Sequence, residues 1–227
     1  MKVLSLSLFL LGLQCLQNEG AKLVKVEVGG YDFLKAVAAN SKKMVGLMKS
    51  LDNKMDRIIK KMGYSCHRDF RVDFENGINH WNKTGTAFNN QPTYGDNPKH
   101  RKRESAKQQG HWWIGGYENR PSPSYPAGGV QGDGPTGTLT SPVFRITCNT
   151  LSFLIGGGCD VAKVRVELLI GHLVVKKETG RCSETMQRRY WDVHGFHGKV
   201  AQIRLVDQGT GGWGHINFDD LRGYSCV

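Results

Sequence analysis

From Phe70 to the end of the chain, the apolar residues come in short runs, each closed off by Gly, Pro or Asn. None of these runs has the length or the 3.6-residue period of a helix, so strands are the element they can build. Along 164–168 and 201–206 apolar and polar residues alternate, as they must in a strand with one face buried. Further strand candidates lie at 70–74, 112–117, 137–144, 151–155, 162–170, 173–178, 188–192, 200–207 and 215–221. No crossover helices separate them, which excludes a parallel α/β sheet and predicts a mainly β fold, an antiparallel β-sandwich.

A helix is expected only ahead of this region. Leu34, Val37, Met44, Met48, Leu51, Met55, Ile58 and Met62 fall on alternating steps of three and four, broken once at Ser41. That is a coiled-coil seam over 34–62, and it predicts self-association into a homo-oligomer, with an amphipathic helix lying on the chain's own domain as the alternative. Methionine on the seam packs softly and does not choose between dimer and trimer. Earlier still, Lys2 followed by an apolar stretch to Leu13 reads as an export leader over 1–21, too short to span a bilayer. The expected organisation is a leader at 1–21, a helical oligomerisation segment at 22–62 and a sandwich at 66–227 with a polar insert at 88–110. The expected location is secreted and extracellular, without a membrane span.

An exported chain makes disulfides the default state of its cysteines. The tetrapeptide Gly-Tyr-Ser-Cys occurs twice, ending at Cys66 and at Cys226. A Cys66–Cys226 bond would staple the first strand to the last. Cys159 and Cys182 flank the 164–178 hairpin at similar distances from its turn and form the second expected pair, which leaves Cys148 over. Asn82-Lys83-Thr84 is an N-glycosylation sequon in a polar stretch, so Asn82 is the expected acceptor.

Three stretches, 137–147 (GTLTSPVFRIT), 151–160 (LSFLIGGGCD) and 191–221, ending in GTGGWGHINFDDL, resemble a secreted β-sandwich module. That module is attached to invertase- and levanase-type fructan hydrolases and is found in animal extracellular proteins. The resemblance covers about 70–223 and implies a jelly-roll, galactose-binding-like sandwich. The opening FENG and closing DDL are also similar to the ends of MAM and carbohydrate-binding sandwiches, in which a structural calcium is common.

Four carboxylates, Asp73, Glu75, Asp219 and Asp220, converge at one edge if the first and last strands are neighbours. Like charges so placed repel unless a cation or basic groups sit between them, and calcium, which takes oxygen ligands, suits the set. The alternative is that Asp219 and Asp220 cap turns or pair with Arg68, Arg71 and Arg222. Trp112, Tyr117, Glu118, Arg120, Asp133 and Trp213 are the candidate ligand patch, because an aromatic ring can stack on the apolar face of a sugar. Large aromatics are more often core, and Trp191 is assigned there.

The net charge of +11 points outside the cell to acidic partners: extracellular glycans or anionic matrix components rather than nucleic acid. Lys99, His100, Arg101, Lys102 and Arg103 concentrate that charge within the insert, which reads as a solvated mobile loop, an anionic-glycan patch or a protease-sensitive site. The run 209–214 fits G-x-G-x-x-G, but a strand pattern follows it where phosphate binding requires a helix N-terminus. G-x-S-x-G and H-E-x-x-H do not occur. The expectation is a non-enzymatic matrix protein with a lectin-like sandwich, made multivalent by its helix. The alternatives are a purely structural matrix block cross-linked through Cys148, or a hydrolase accessory module.

Overall fold

The computed structural model describes residues 66–226 and, upstream, Asn40 and Lys43, both helical. The expected leader and coiled-coil seam lie outside the described residues. No helix among the described residues is long and apolar enough to cross a membrane.

Strands dominate, and they form two antiparallel sheets. The first contains β1 (Cys66–Val72), β3 (Thr93–Tyr94), β4 (Trp112–Gly115), β7 (Thr150–Gly157), β10 (Ser183–Asp192) and β12 (Ile216–Cys226). Its order is β10-β7-β12-β4-β3, with β1 also paired to β12. The second contains β2 (Asn82–Gly85), β5 (Gly137–Thr140), β6 (Phe144–Arg145), β8 (Val164–Ile170), β9 (Leu173–Glu178) and β11 (Val200–Asp207). Its order is β2-β5-β11-β8-β9, with β6 also on β11. Phe153 and Phe218 from the first sheet meet Leu139, Val166, Ile203 and Leu205 from the second in one buried core. The polar partners in the alternation, such as Arg165 and Arg204, stay at the surface and neutralise Glu167 between them.

The first and last strands are neighbours. In the β1–β12 ladder Cys66 stands opposite Cys226 and Val72 opposite Leu221. Cys159 and Cys182 are bonded, with sulfurs 2.01 Å apart, tying the approach to β8 to the start of β10. Cys148 is fully buried in the core beside Gly223. Its burial leaves no surface access for the cross-link between chains that the structural alternative placed at Cys148. Asn82 is exposed, but on the edge strand β2 instead of in a loop; the Thr84 hydroxyl of its sequon meets that of Thr138 at 2.7 Å.

The insert also differs from a free loop. It contributes β3 and a short helix α1 (Asn97–His100), then crosses the outer face of the first sheet. There Ala106, Trp113 and Met186 are buried together against Leu154 as a small second core. Glu104 holds the crossing in place by accepting from the Ser183 hydroxyl (2.6 Å) and the Glu184 N–H (2.9 Å). The sandwich therefore carries a partial third layer, and that layer builds one wall of the site.

Candidate functional site

Between the insert and the glycine-rich turn before β12 lies a recess of ≈ 370 Å³. Its floor starts from Glu118, fully buried at the end of the β4 loop. Burial pushes the Glu118 carboxyl above its ordinary range, opposed by the Arg101 guanidinium and by a hydrogen bond from Asn97. Arg101 reaches this carboxylate from the basic run, forms a close ion pair with it, and lies 4.9 Å over the Tyr117 ring. Its other carboxylate neighbour is Glu184 at 3.7 Å.

The opposite wall is the turn. Trp213 sits there at φ +63°, a left-handed backbone that presents its ring next to that of His215, with centroids 5.7 Å apart. The Arg103 guanidinium lies 5.7 Å over the Trp213 ring. His215 is 3 % exposed, pairs through Nδ1 with Asp133 at 2.7 Å, and has its Nε2 3.6 Å from Glu184, too long for a hydrogen bond. Burial disfavours the imidazolium, but Asp133 and Glu184 outweigh it and raise the His215 pKa to about 9. Burial likewise acts to raise Glu184, and His215, Asn217 and Arg101 more than reverse it, leaving Glu184 ionised. Behind His215, burial lifts Asp207 to about 7.

Two donors in this recess are left over. Arg101 Nε and His215 Nε2 are buried and have no hydrogen-bond partner among the described residues. An unmatched buried donor costs about 1–3 kcal/mol, and both donors belong to side chains that line the recess. Guanidinium, imidazolium and aromatic walls together suit an oxygen-rich ligand carrying negative charge.

The predicted patch is only partly assembled here. Tyr117, Asp133 and Trp213 line the recess, and Glu118 anchors it from below. Trp112 and Arg120 stand in a different cluster: Trp112 packs on Tyr94 at 5.1 Å, and Arg120 lies 5.3 Å over the same ring. Arg101, Arg103, Glu184 and His215 were absent from the predicted patch. Only the two arginines had a signal, the basic run itself. Glu184 and His215 come together through pairing of distant strands.

The four carboxylates expected to hold calcium are arranged otherwise. Asp220 is enclosed by Arg71, Arg188 and Arg222, the ion pairing that the sequence offered as the alternative for Arg71 and Arg222. Glu75 accepts the N–H groups of His111 and Trp112, and Asp219 those of Gln109 and Asp220. Burial pushes Asp219 up to about 8, with Asp220 and Asp73 adding to the rise. Among the described residues no group of three or more His, Cys, Asp and Glu side chains is placed to share a metal ion.

No family model matches the chain. A protein of Aspergillus rugulosus whose name assigns it to the glycosyl hydrolases, ecdE, is 37% identical over 92 residues, which is 40% of this chain and 13% of that protein. The chain thus spans a small part of its curated relative's length. Among solved structures it is similar to the K3 adhesin domain of Lys-gingipain from Porphyromonas gingivalis, at 18% identity and a TM-score of 0.40, covering 71% of this chain and 99% of that domain. The K1 adhesin domain of the same protein gives 16% identity, a TM-score of 0.40, and coverage of 70% and 96%. The partial hydrolase relative agrees with the sequence resemblance at the level of an appended β-sandwich module. It does not carry the likeness to MAM domains.

Proposed function

We propose that this chain is an extracellular binding module whose recess takes an acidic saccharide. The observation that carries the reading is the pair of buried, unpartnered donors, Arg101 Nε and His215 Nε2, set between the Tyr117 and Trp213 rings. A sugar carboxylate or sulfate would accept from both, while the ring faces cover the apolar side of the sugar. The disulfide Cys159–Cys182 is consistent with an extracellular site of action. Self-association through the 34–62 seam would add avidity to a weak single-site contact.

Binding is favoured over catalysis by the state of the acids. Hydrolysis of a glycosidic bond needs two carboxyl groups free to exchange protons across the sugar. Glu118 is sealed beneath Arg101, and Glu184 is buried and accepts from Asn217, so both are already committed to neighbours.

The test is a screen of immobilised neutral, carboxylated and sulfated glycans with the full chain, run with and without calcium. The reading expects carboxylated or sulfated mono- and disaccharides, which fit the recess, to bind and both Trp213→Ala and Arg103→Gln to abolish their binding. Binding indifferent to both substitutions would refute it. The calcium arm tests whether Asp73, Glu75 and Asp219 take up a cation when one is supplied.

A further inference from the structure

The outer face of the first sheet is roofed by the insert only in part. Beyond the small core of Ala106, Trp113 and Met186 the face carries basic side chains, Arg71, Arg188 and Arg222, each partly exposed. Leu221 of β12 and Phe153 of β7 are buried in the core, so alternation turns Arg222 and Ser152 to the outer face, where Ser152 itself is only 1% exposed and contributes no contact surface. Register then aligns one row across four neighbouring strands. Arg71 of β1 stands opposite Arg222 of β12, Arg222 opposite Ser152 of β7, and Ser152 opposite Tyr190 of β10. At the ordinary strand spacing the row is about 14 Å long. Arg188 lies on the same face of β10, two residues before Tyr190.

We propose that this row is a second binding surface, separate from the recess, for a linear sulfated or carboxylated polysaccharide laid across the strands. Its anionic groups would sit on Arg71, Arg188 and Arg222, and one sugar ring against Tyr190.

Charge supports this first. Three guanidiniums gather on the single carboxylate of Asp220, with Asp73 a distant 3.5 Å from Arg71, so positive charge remains in excess. Donor capacity supports it next. Each guanidinium carries five N–H donors, and a carboxylate has about four acceptor positions, so most of the fifteen donors are not used by Asp220. Arg71, Arg188 and Arg222 are 30%, 23% and 19% exposed, whereas Asp220 beneath them is wholly buried. The cluster is therefore held from below and partly exposed above. Preorganised guanidiniums lose less entropy on binding than free surface side chains do. Tyr190, at 68% exposure, gives the row an aromatic end with no part in the core.

The backbone is shaped for this cluster. Asp220 occupies the left-handed region at φ +49°, at the break in β12 register between Asp219 and Arg222. The bulge turns its carboxylate outward under the guanidiniums, and a regular strand would not.

The experiment measures retention of the full chain on immobilised heparin against salt, with neutral dextran as a blank. Arg71→Gln and Tyr190→Ala are each expected to weaken heparin binding several-fold. Lys177→Gln, which removes one exposed charge from the other sheet, and Arg103→Gln, in the recess, should change it less than twofold. Tyr190→Ala is the sharpest arm, because it leaves net charge untouched. Equal losses from Lys177→Gln and Arg71→Gln, or no loss from Tyr190→Ala, would mean adsorption by bulk charge and overturn the proposal. Loss confined to Arg103→Gln would place the polymer in the recess and overturn it too. If Arg71→Gln lowers the melting temperature, Arg71→Lys keeps a cation on Asp220 while removing the planar fork. It should bind heparin as weakly as Arg71→Gln does, and wild-type retention by it would also overturn the proposal. The outcome is independent of whether the recess binds a saccharide.

Discussion

Replacing Asp220 by Asn separates its charge from its backbone role. Asn tolerates the left-handed conformation about as well as Asp does, so the φ of +49° adds no new strain. What changes is the carboxylate, which accepts from Arg71 Nε at 2.8 Å and Arg222 Nε at 2.9 Å and pairs closely with Arg188. Burial acts to raise its pKa, and Arg222, Arg188 and Arg71 reverse this, holding it below the ordinary 3.8. Removing one member of a fully buried pair costs about 3–5 kcal/mol, but these three partners keep 19–30% exposure and can regain water. We therefore expect Asp220→Asn to cost roughly 2–4 kcal/mol, which lowers the melting temperature by about 6–12 °C in a domain of this size. Asp73→Asn is the internal control: its carboxylate is 28% exposed and 3.5 Å from Arg71, and the cost should stay under about 1 kcal/mol. The sign with pH follows from the lowered value. Asp220 contributes fully above pH 3.8 and loses its contribution as pH falls through the lower folded value, so the gap between wild type and variant should close in acid. Thermal unfolding with the disulfide intact reads all three. Equal midpoints for Asp220→Asn and Asp73→Asn would refute the argument.

Other expectations are equally direct. His215 should titrate near pH 9 in an imidazole NMR experiment, so its stabilising contribution is full below 6.5 and lost as pH rises through 9; a midpoint at or below 6.5 would break the link to Asp133 and Glu184. A Cβ on Gly137 would lie 2.0 Å from the Thr84 carbonyl oxygen across the β2–β5 ladder, whereas one on Gly134 would meet nothing within 4 Å. Gly137→Ala should thus destabilise by about 1–3 kcal/mol in a denaturant titration and Gly134→Ala by much less, and the reverse order would be fatal. Exchanging both Cys159 and Cys182 for Ser opens a loop with a sequence separation of 23, and chain entropy predicts a loss of about 3 kcal/mol, checked by comparing denaturant midpoints.

The sandwich was legible wherever a strand is long enough to show alternation. β8 and β11 declare themselves, and Trp191 packs on Phe153 at 4.6 Å, inside as expected. The pairing of Cys159 with Cys182 and the meeting of the first and last strands were also readable, the former from symmetry about a turn. Strands β3 and β6, two residues each, have no room for a period. The insert was misread for a different reason. Its polar composition describes a solvated loop, yet Arg101, Glu104 and Asn97 are ordered by Glu118, Ser183 and Gly129, none of them near in sequence. The same blindness hid half of the recess, since Glu184 and His215 become neighbours only when β10 and β12 pair with the two sides of β7 at Gly157.

Because β1 and β12 are paired antiparallel with Cys66 opposite Cys226, the outer ends of the first and last strands lie side by side. Tension applied between the two would open that ladder rung by rung, as a zipper parts, and would leave the remaining strands unloaded until β1 had been stripped away. Arg71 belongs to β1 and would leave with it, whereas Arg101, Glu184 and His215 of the recess lie outside that strand and would outlast its loss.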